Sequence, residues 1–216
     1  GGDTGAGSAV INVFDVTTWS SIGSGATVTA TAGDVSVTAS SDVSVIDFAG
    51  SIAVTIGTGQ KSGSGVGIGL DVTVLTETTE ALVETRNGAA TTVAAGGNVV
   101  VDATSSEDFF QLTVNAGAGN STSGAGGLNV LVNDTTTRAL VGRDPEDAAS
   151  TTGTTAIDAD GSVVVAADSK TVIESYAGTL GLSLSGSAVG VSIGILVDLD
   201  QTTATVGAGS TITALG

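Results

Sequence analysis

The sequence predicts an all-β fold: a β-solenoid, β-helix-like, built from stacked repeats of about 60 residues. Three observations predict it. One phrase occurs four times, as TTWSSIG from Thr17, TTEALVE from Thr78, TTTRALVG from Thr135 and QTTATVG from Gln201, and its apolar anchors Ile22, Val83, Val141 and Val206 lie 61, 58 and 65 residues apart. Upstream of each anchor, aliphatic residues alternate with small or polar ones at a spacing of two, which is the period of a strand and not of a helix. The chain also holds 33 glycines and only six aromatic residues among 216. That is too little bulk for one conventional core, but enough valine and isoleucine for thin coils that bury one another.

Each repeat opens on a long alternating strand. Ala9, Ile11 and Val13 match Leu70, Val72 and Val74, then Leu128, Val130 and Val132, then Ile193, Ile195 and Val197. Stacked in phase, Ile11, Val72, Val130 and Ile195 make a continuous aliphatic ladder, read here as core, with about 1.5–3 kcal/mol for each buried side chain. On this reading Val130→Asp unfolds the stack. Within these strands, GVGIGLDV from Gly65, SGAGGLNV from Ser123 and SAVGVSIGIL from Ser187 alternate bulky residues with glycine, alanine or serine. A strand face made only of small groups lets another sheet approach below the usual ~10 Å. After the anchor comes a short strand: ATVTA from Ala26, TTVAA from Thr91, TAIDA from Thr155 and STITA from Ser210. A strand opening on glycine follows: GDVSV from Gly33, GNVVV from Gly97 and GSVVV from Gly161. The longest insertion, RDPEDAASTTG from Arg143, contains the only proline and reads as a solvent loop. ETTEALVETR from Glu77 is the best helix candidate, yet its repeat mates are strand-like.

The chain divides into one array with repeats at about 1–61, 62–120, 121–185 and 186–216, the last truncated, and it reads as a slice of a longer protein. There are 22 acidic and 5 basic residues, net charge −17, so nucleic acid finds no basic stripe and anionic membranes repel the surface. Membrane insertion is not expected either: the longest apolar run, AVGVSIGILV from Ala188, is short and interrupted by glycine. Acidic side chains instead keep bare sheet edges from pairing. Cysteine and histidine are both absent, which removes disulfides, thiolate and imidazole catalysis, and soft metal sites.

The run from Val191 to Val197, the segment from Thr202 to Gly207 and the strand from Ser210 to Ala214, with their mates in the other copies, resemble the long repetitive adhesins of bacteria, including haemagglutinin-like filaments and leukotoxin-type filamentous adhesins. The resemblance spans nearly the whole chain. It implies a secreted or cell-surface β-solenoid stalk with a part in attachment or matrix, and no catalytic motif to carry over. Its implied partners are further copies or neighbouring repeats of the same protein and components of a cell surface or matrix.

Chemistry, if present, rests on carboxylates. Asp198 and Asp200 are two apart, as are Asp158 and Asp160, and on a strand each pair shares a face from which oxygens can reach calcium. These four are the candidate metal ligands, with calcium the only candidate cofactor. DADG from Asp158 resembles the opening of a calcium loop but lacks the later ligands, and it does not recur in the other repeats. Opposed carboxylates and aromatic platforms for sugar are absent, so no enzyme is expected. Alternating threonines at Thr27 and Thr211 are broken in the middle copies and read as ordinary exposed strand residues. The six aromatics read as local plugs or edge covers out of register, with Phe109 and Phe110 the contact candidates. Asn120 and Asn133 open N-x-S/T sequons. The sequence therefore predicts a stiff structural or adhesive extracellular segment. The alternative is a calcium, glycan or ice-binding module, and a carbohydrate-active β-helix is the weaker third.

Overall fold

The computed structural model describes residues 2–56, 63–147 and 150–216. Among the described residues eleven strands follow in order: β1 (Thr4–Ile22), β2 (Thr27–Ala30), β3 (Val35–Val54), β4 (Ser64–Glu84), β5 (Ala90–Ala95), β6 (Val99–Gly119), β7 (Thr122–Gly142), β8 (Thr154–Ala159), β9 (Val163–Ser183), β10 (Ser187–Val206) and β11 (Ser210–Ala214). They form three all-parallel sheets: a first long sheet β1-β4-β7-β10, a second long sheet β3-β6-β9, and a short sheet β11-β8-β5-β2. This is the β-solenoid expected from the repeats. Each coil is one long strand out, one short strand across and one long strand back.

The register is the one the repeats predict. Ile22 pairs with Val83, Val83 with Val141 and Val141 with Val206. Val28, Val93, Ile157 and Ile212 stack in the short sheet, and Val35, Val99 and Val163 open the second long sheet. Two local devices hold the corners. A glycine with positive φ (Gly25, Gly88, Gly153 and Gly209) turns the chain into each short strand. At the next corner Asp34 Oδ1 accepts from Asn98 N at 2.6 Å, and Asn98 Oδ1 accepts from Ser162 N at 2.9 Å. That explains why the residue after the glycine in GDV, GNV and GSV is always short and polar. The segment at Glu77 is strand β4, as its repeat mates imply.

The cross-section has two unlike ends. Where the short sheet bridges the long ones, a three-sided aliphatic core holds Val37, Val83, Val93, Val99, Val101, Val141 and Ile157. A second, smaller core of Val45, Leu75, Phe109 and Leu131 sits midway along the long strands. Beyond it the two long sheets close on each other through glycine. A Cβ on Gly65 would overlap the carbonyl oxygen of Ala118, one on Gly67 that of Ala116, and one on Gly117 that of Gly124. With no room for a methyl group between the backbones, the sheets lie closer than ordinary packing allows, as the small-residue alternation predicts.

One expectation is overturned. Ile11, Val72, Val130 and Ile195 do form a continuous ladder, but it faces outward: Ile11 is 64% and Ile195 47% exposed. Period two marks two faces without saying which is the inner one. Here the small residues must face in, because only they let the sheets meet, so the aliphatic residues face out.

Candidate interaction surface and buried acids

The outer face of the first long sheet follows from that inversion. Its half nearest the glycine-closed end has five rows across four strands: Gly5, Val66, Gly124 and Val189; Gly7, Ile68, Gly126 and Val191; then the Ala9, Ile11 and Val13 rows. None of these twenty positions carries a polar side chain. At about 3.3 Å per residue and about 4.8 Å between strands, the patch covers roughly 600 Å². That is at the upper end of the largest apolar patches on monomeric proteins. The next rows are mixed: Asp15, Thr76, Asp134 and Leu199, then Thr17, Thr78, Thr136 and Gln201, then Trp19, Glu80, Arg138 and Thr203.

The second long sheet also exposes apolar residues at this end, including Ile46, Phe48, Ile52, Val54, Leu180 and Leu182. Phe110 packs between Phe48 and Tyr176 as tilted rings with centroids 5.8 and 6.0 Å apart, although Phe48 and Tyr176 share the row of Leu112 and Phe110 stands in the row of Ile46 and Glu174. The expectation that aromatics fall out of register therefore fails for Phe48 and Tyr176 and holds for Phe110. Counting from the strand-opening glycines would have found that pair, since Phe48 and Tyr176 lie 15 residues after Gly33 and Gly161. Phe109 is instead a fully buried plug.

Between the sheets lie acids that sequence reasoning missed. Asp47, Asp71, Glu77 and Glu107 are all buried. Asp47 accepts from Asn12 Nδ2 at 2.6 Å and from Thr73 Oγ1 at 2.5 Å. Neither oxygen of Asp71 has a hydrogen-bond partner among the described residues. Burial, then the negative charge of Asp47, pushes the Asp71 carboxyl up to about 6. Gly69 lies against Asn115 across the gap, so eight residues further along the opposed strands Glu77 faces Glu107. Burial is also the largest cause raising Glu107, although Thr171 donates to its Oε2 at 2.8 Å. The signal was present in the alternation: once glycines face in, every acid of the same parity does too.

The four predicted metal ligands occupy two separate places. Asp198 and Asp200 share the inner face of β10, where Asp198 Oδ1 accepts from Asn133 Nδ2 at 2.9 Å and Asp200 Oδ2 accepts from Ser169 Oγ at 2.8 Å. Asp158 lies on the outer face of β8 and Asp160 in the turn after it, and both line a shallow groove of about 230 Å³ with Thr29 and Thr31. Among the described residues no three acidic side chains gather into one group able to hold a metal. Asn133 is buried inside the sandwich, so its sequon is closed to modification in the folded chain. Thr27, Thr29, Thr211 and Thr213 are exposed strand threonines, as expected.

The insertion after β7 is only partly a solvent loop. Pro145 and Glu146 are exposed, but Asp144 is buried and pairs with Arg138 at 2.8 Å, and Arg138 also holds Glu80 at 2.7 Å. No family model matches this chain, and no curated protein or solved structure matches it either.

Proposed function

We propose that this chain is a structural and adhesive repeat segment, the stiff body of an extracellular bacterial surface protein that works through its broad faces. The observation that carries the reading is the twenty-position apolar face on a rigid, in-register plate. A coil of about 60 residues advances the stack only ~4.8 Å but is some 65 Å wide. Such a coil is a poor spacer and a good wall: it spends its residues on area and stiffness, not on reach. The absence of histidine and cysteine from the sequence fits a role without catalysis.

The test is adsorption of the purified segment to alkyl-terminated and hydroxyl-terminated surfaces, with proteinase K digestion in parallel. The reading expects preferential adsorption to the alkyl surface by a particle that resists digestion. Loss of both properties would remove it. The groove at Asp158 and Asp160 favours a second reading, a calcium-binding module. That reading requires a saturable rise in the melting temperature with millimolar calcium, abolished by Asp158→Asn.

A further inference from the structure

The apolar face carries a pattern that neither the coil nor the repeat explains. Gly5, Gly7, Gly124 and Gly126 all point outward. A Cβ on Gly124 would meet only the Val66 side chain at 3.9 Å, one on Gly126 only Ile68 at 4.0 Å, one on Gly7 only the Ile68 carbonyl oxygen at 3.8 Å, and one on Gly5 only the Val66 carbonyl oxygen at 4.0 Å. All four have ordinary strand backbone, since none is among the positive-φ residues. The fold therefore has room for a side chain at each position, and glycine weakens a strand interior. The inward glycines are different, because the opposing backbone excludes anything larger at Gly65, Gly67 and Gly117.

Across the sheet the outward glycines alternate with large residues in the order Gly5, Val66, Gly124, Val189 and again Gly7, Ile68, Gly126, Val191. A two-fold axis lying in the interface and parallel to the strands reverses the strand order of the second copy. Val66 then sits over the partner copy's Gly124 position, Val189 over Gly5, Ile68 over Gly126 and Val191 over Gly7. Bulky side chains meet holes in every one of these pairs. The same operation places Ala9 over Ile193 and Leu70 over Leu128. Further along it sets Asp15 over Leu199 and Asp134 over Thr76, so no acid faces an acid, while Glu80 comes over Arg138.

We infer that two copies of this chain dock face to face through the first long sheet, in a two-fold arrangement with strands aligned and each outward glycine receiving a valine or isoleucine from the other copy. The inference deepens the proposed structural role by naming the partner, and it rests on reading the apolar face as the working surface. Self-complementarity of this kind is what a closed two-fold interface requires. Two faces of roughly 600 Å² bury about 1,200 Å², the lower bound for a specific stable interface. Aligned packing of two sheets within about 30° is a common geometry.

The test is sedimentation velocity of the full chain, compared with Gly124→Val and Gly126→Val, which fill the holes without disturbing the coil. The expected result is a dimer for the wild type. Each variant should self-associate at least tenfold more weakly, with an unchanged or raised melting temperature. Ile52→Glu, on the outer face of the other long sheet, should leave the dimer intact. Dimerisation that survives both glycine substitutions, or is lost in Ile52→Glu alone, overturns the inference. A wild type that stays monomeric while resisting protease also overturns it and leaves the structural role standing. A wild type that binds neutral phosphatidylcholine vesicles instead of itself overturns it in favour of a lipid partner.

Discussion

The two ends of each coil solve the same problem in opposite ways. At the bridged end, Val37, Val83, Val99, Val101, Val141 and Ile157 fill a three-sided space. At the closed end nothing fills the space, because there is none: glycine meets carbonyl across the gap and the aliphatic residues are outside. The first end gains stability from area removed from water. The second gains it from backbone hydrogen bonding between coils and close van der Waals contact, and it leaves its apolar surface available to another body. One sequence grammar thus makes a half that buries its aliphatic residues and a half that exposes them.

The sharpest way to break the contrast is to put a side chain where the sheets touch. Gly117→Val sets its Cβ against the carbonyl oxygens of both Gly124 and Gly65, which are backbone and cannot swing aside. The expected cost is at or above the upper end of overpacking effects, about 3–4 kcal/mol, read as a lower urea midpoint. Truncation in the filled region acts through a void instead. Phe109→Ala, which empties the small core formed with Leu75, Val45 and Leu131, should cost about 3–4 kcal/mol. If Gly117→Val were tolerated and Phe109→Ala were not, the glycine contacts would contribute little and the distinction between the halves would fail.

The register was fully legible in the sequence, because the phrases at Ile22, Val83, Val141 and Val206 are copies and parallel stacking needs nothing else. The close approach of sheets was legible too, from glycine alternation at Gly65 and Gly67. The face was not. A buried aliphatic ladder is the ordinary meaning of an alternating valine strand, and Val72 and Val130 overturn it only because two small-faced sheets can meet nowhere else. The inner acids were hidden by the same choice: with Val72 read as inward, Asp71 reads as outward and unremarkable. The candidate ligands Asp198 and Asp200 share a face as period two requires, but no spacing rule relates them to the groove at Asp158.

Asp71 gives the next effect. In the unfolded chain its carboxyl loses its proton near the ordinary 3.8, whereas folded it holds the proton to about 6. The folded state therefore binds the extra proton between those values. The contribution is fully present below about pH 4, is lost as pH rises through 6, and amounts to as much as about 3 kcal/mol. Among the described residues the charged group that acts on it is Asp47, and its row neighbours Val10 and Asn129 are neutral. Asp144 acts in the opposite sense: hydrogen bonds from Arg138 and the backbone at Glu146, with the Arg138 charge, hold it below its ordinary value against the effect of burial. Its contribution is lost only on acidification below about pH 4, so urea titrations between pH 4.5 and 7 isolate Asp71 and Glu107, the acids that burial raises. The wild type should weaken as pH rises through that window. Asp71→Asn should flatten the slope and be the more stable protein at pH 7. A wild type whose stability is level or increases from pH 4.5 to 7 would contradict the burial of these acids.

The smallest effect on folding is expected where the sequence alone predicts the largest. Val130 stands in the middle of the outward ladder, paired with Val72 and Ile195. Val130→Asp replaces a strand-favouring residue by a poor one on a surface open to water, which costs about 1 kcal/mol. As a core residue it would instead leave an unpaired charge inside the stack and unfold it. The melting temperature therefore decides which way the sheet faces, and a fall of a few degrees or less supports the outward face. Association should respond far more strongly, since a two-fold axis parallel to the strands sets Val130 against the partner's Val72 and a charge there is desolvated on docking. A variant that melts almost normally and no longer self-associates would separate the two properties on one residue. A variant that melts normally and still dimerises would move the interface to the Ile52 face and leave the outward glycines without a purpose.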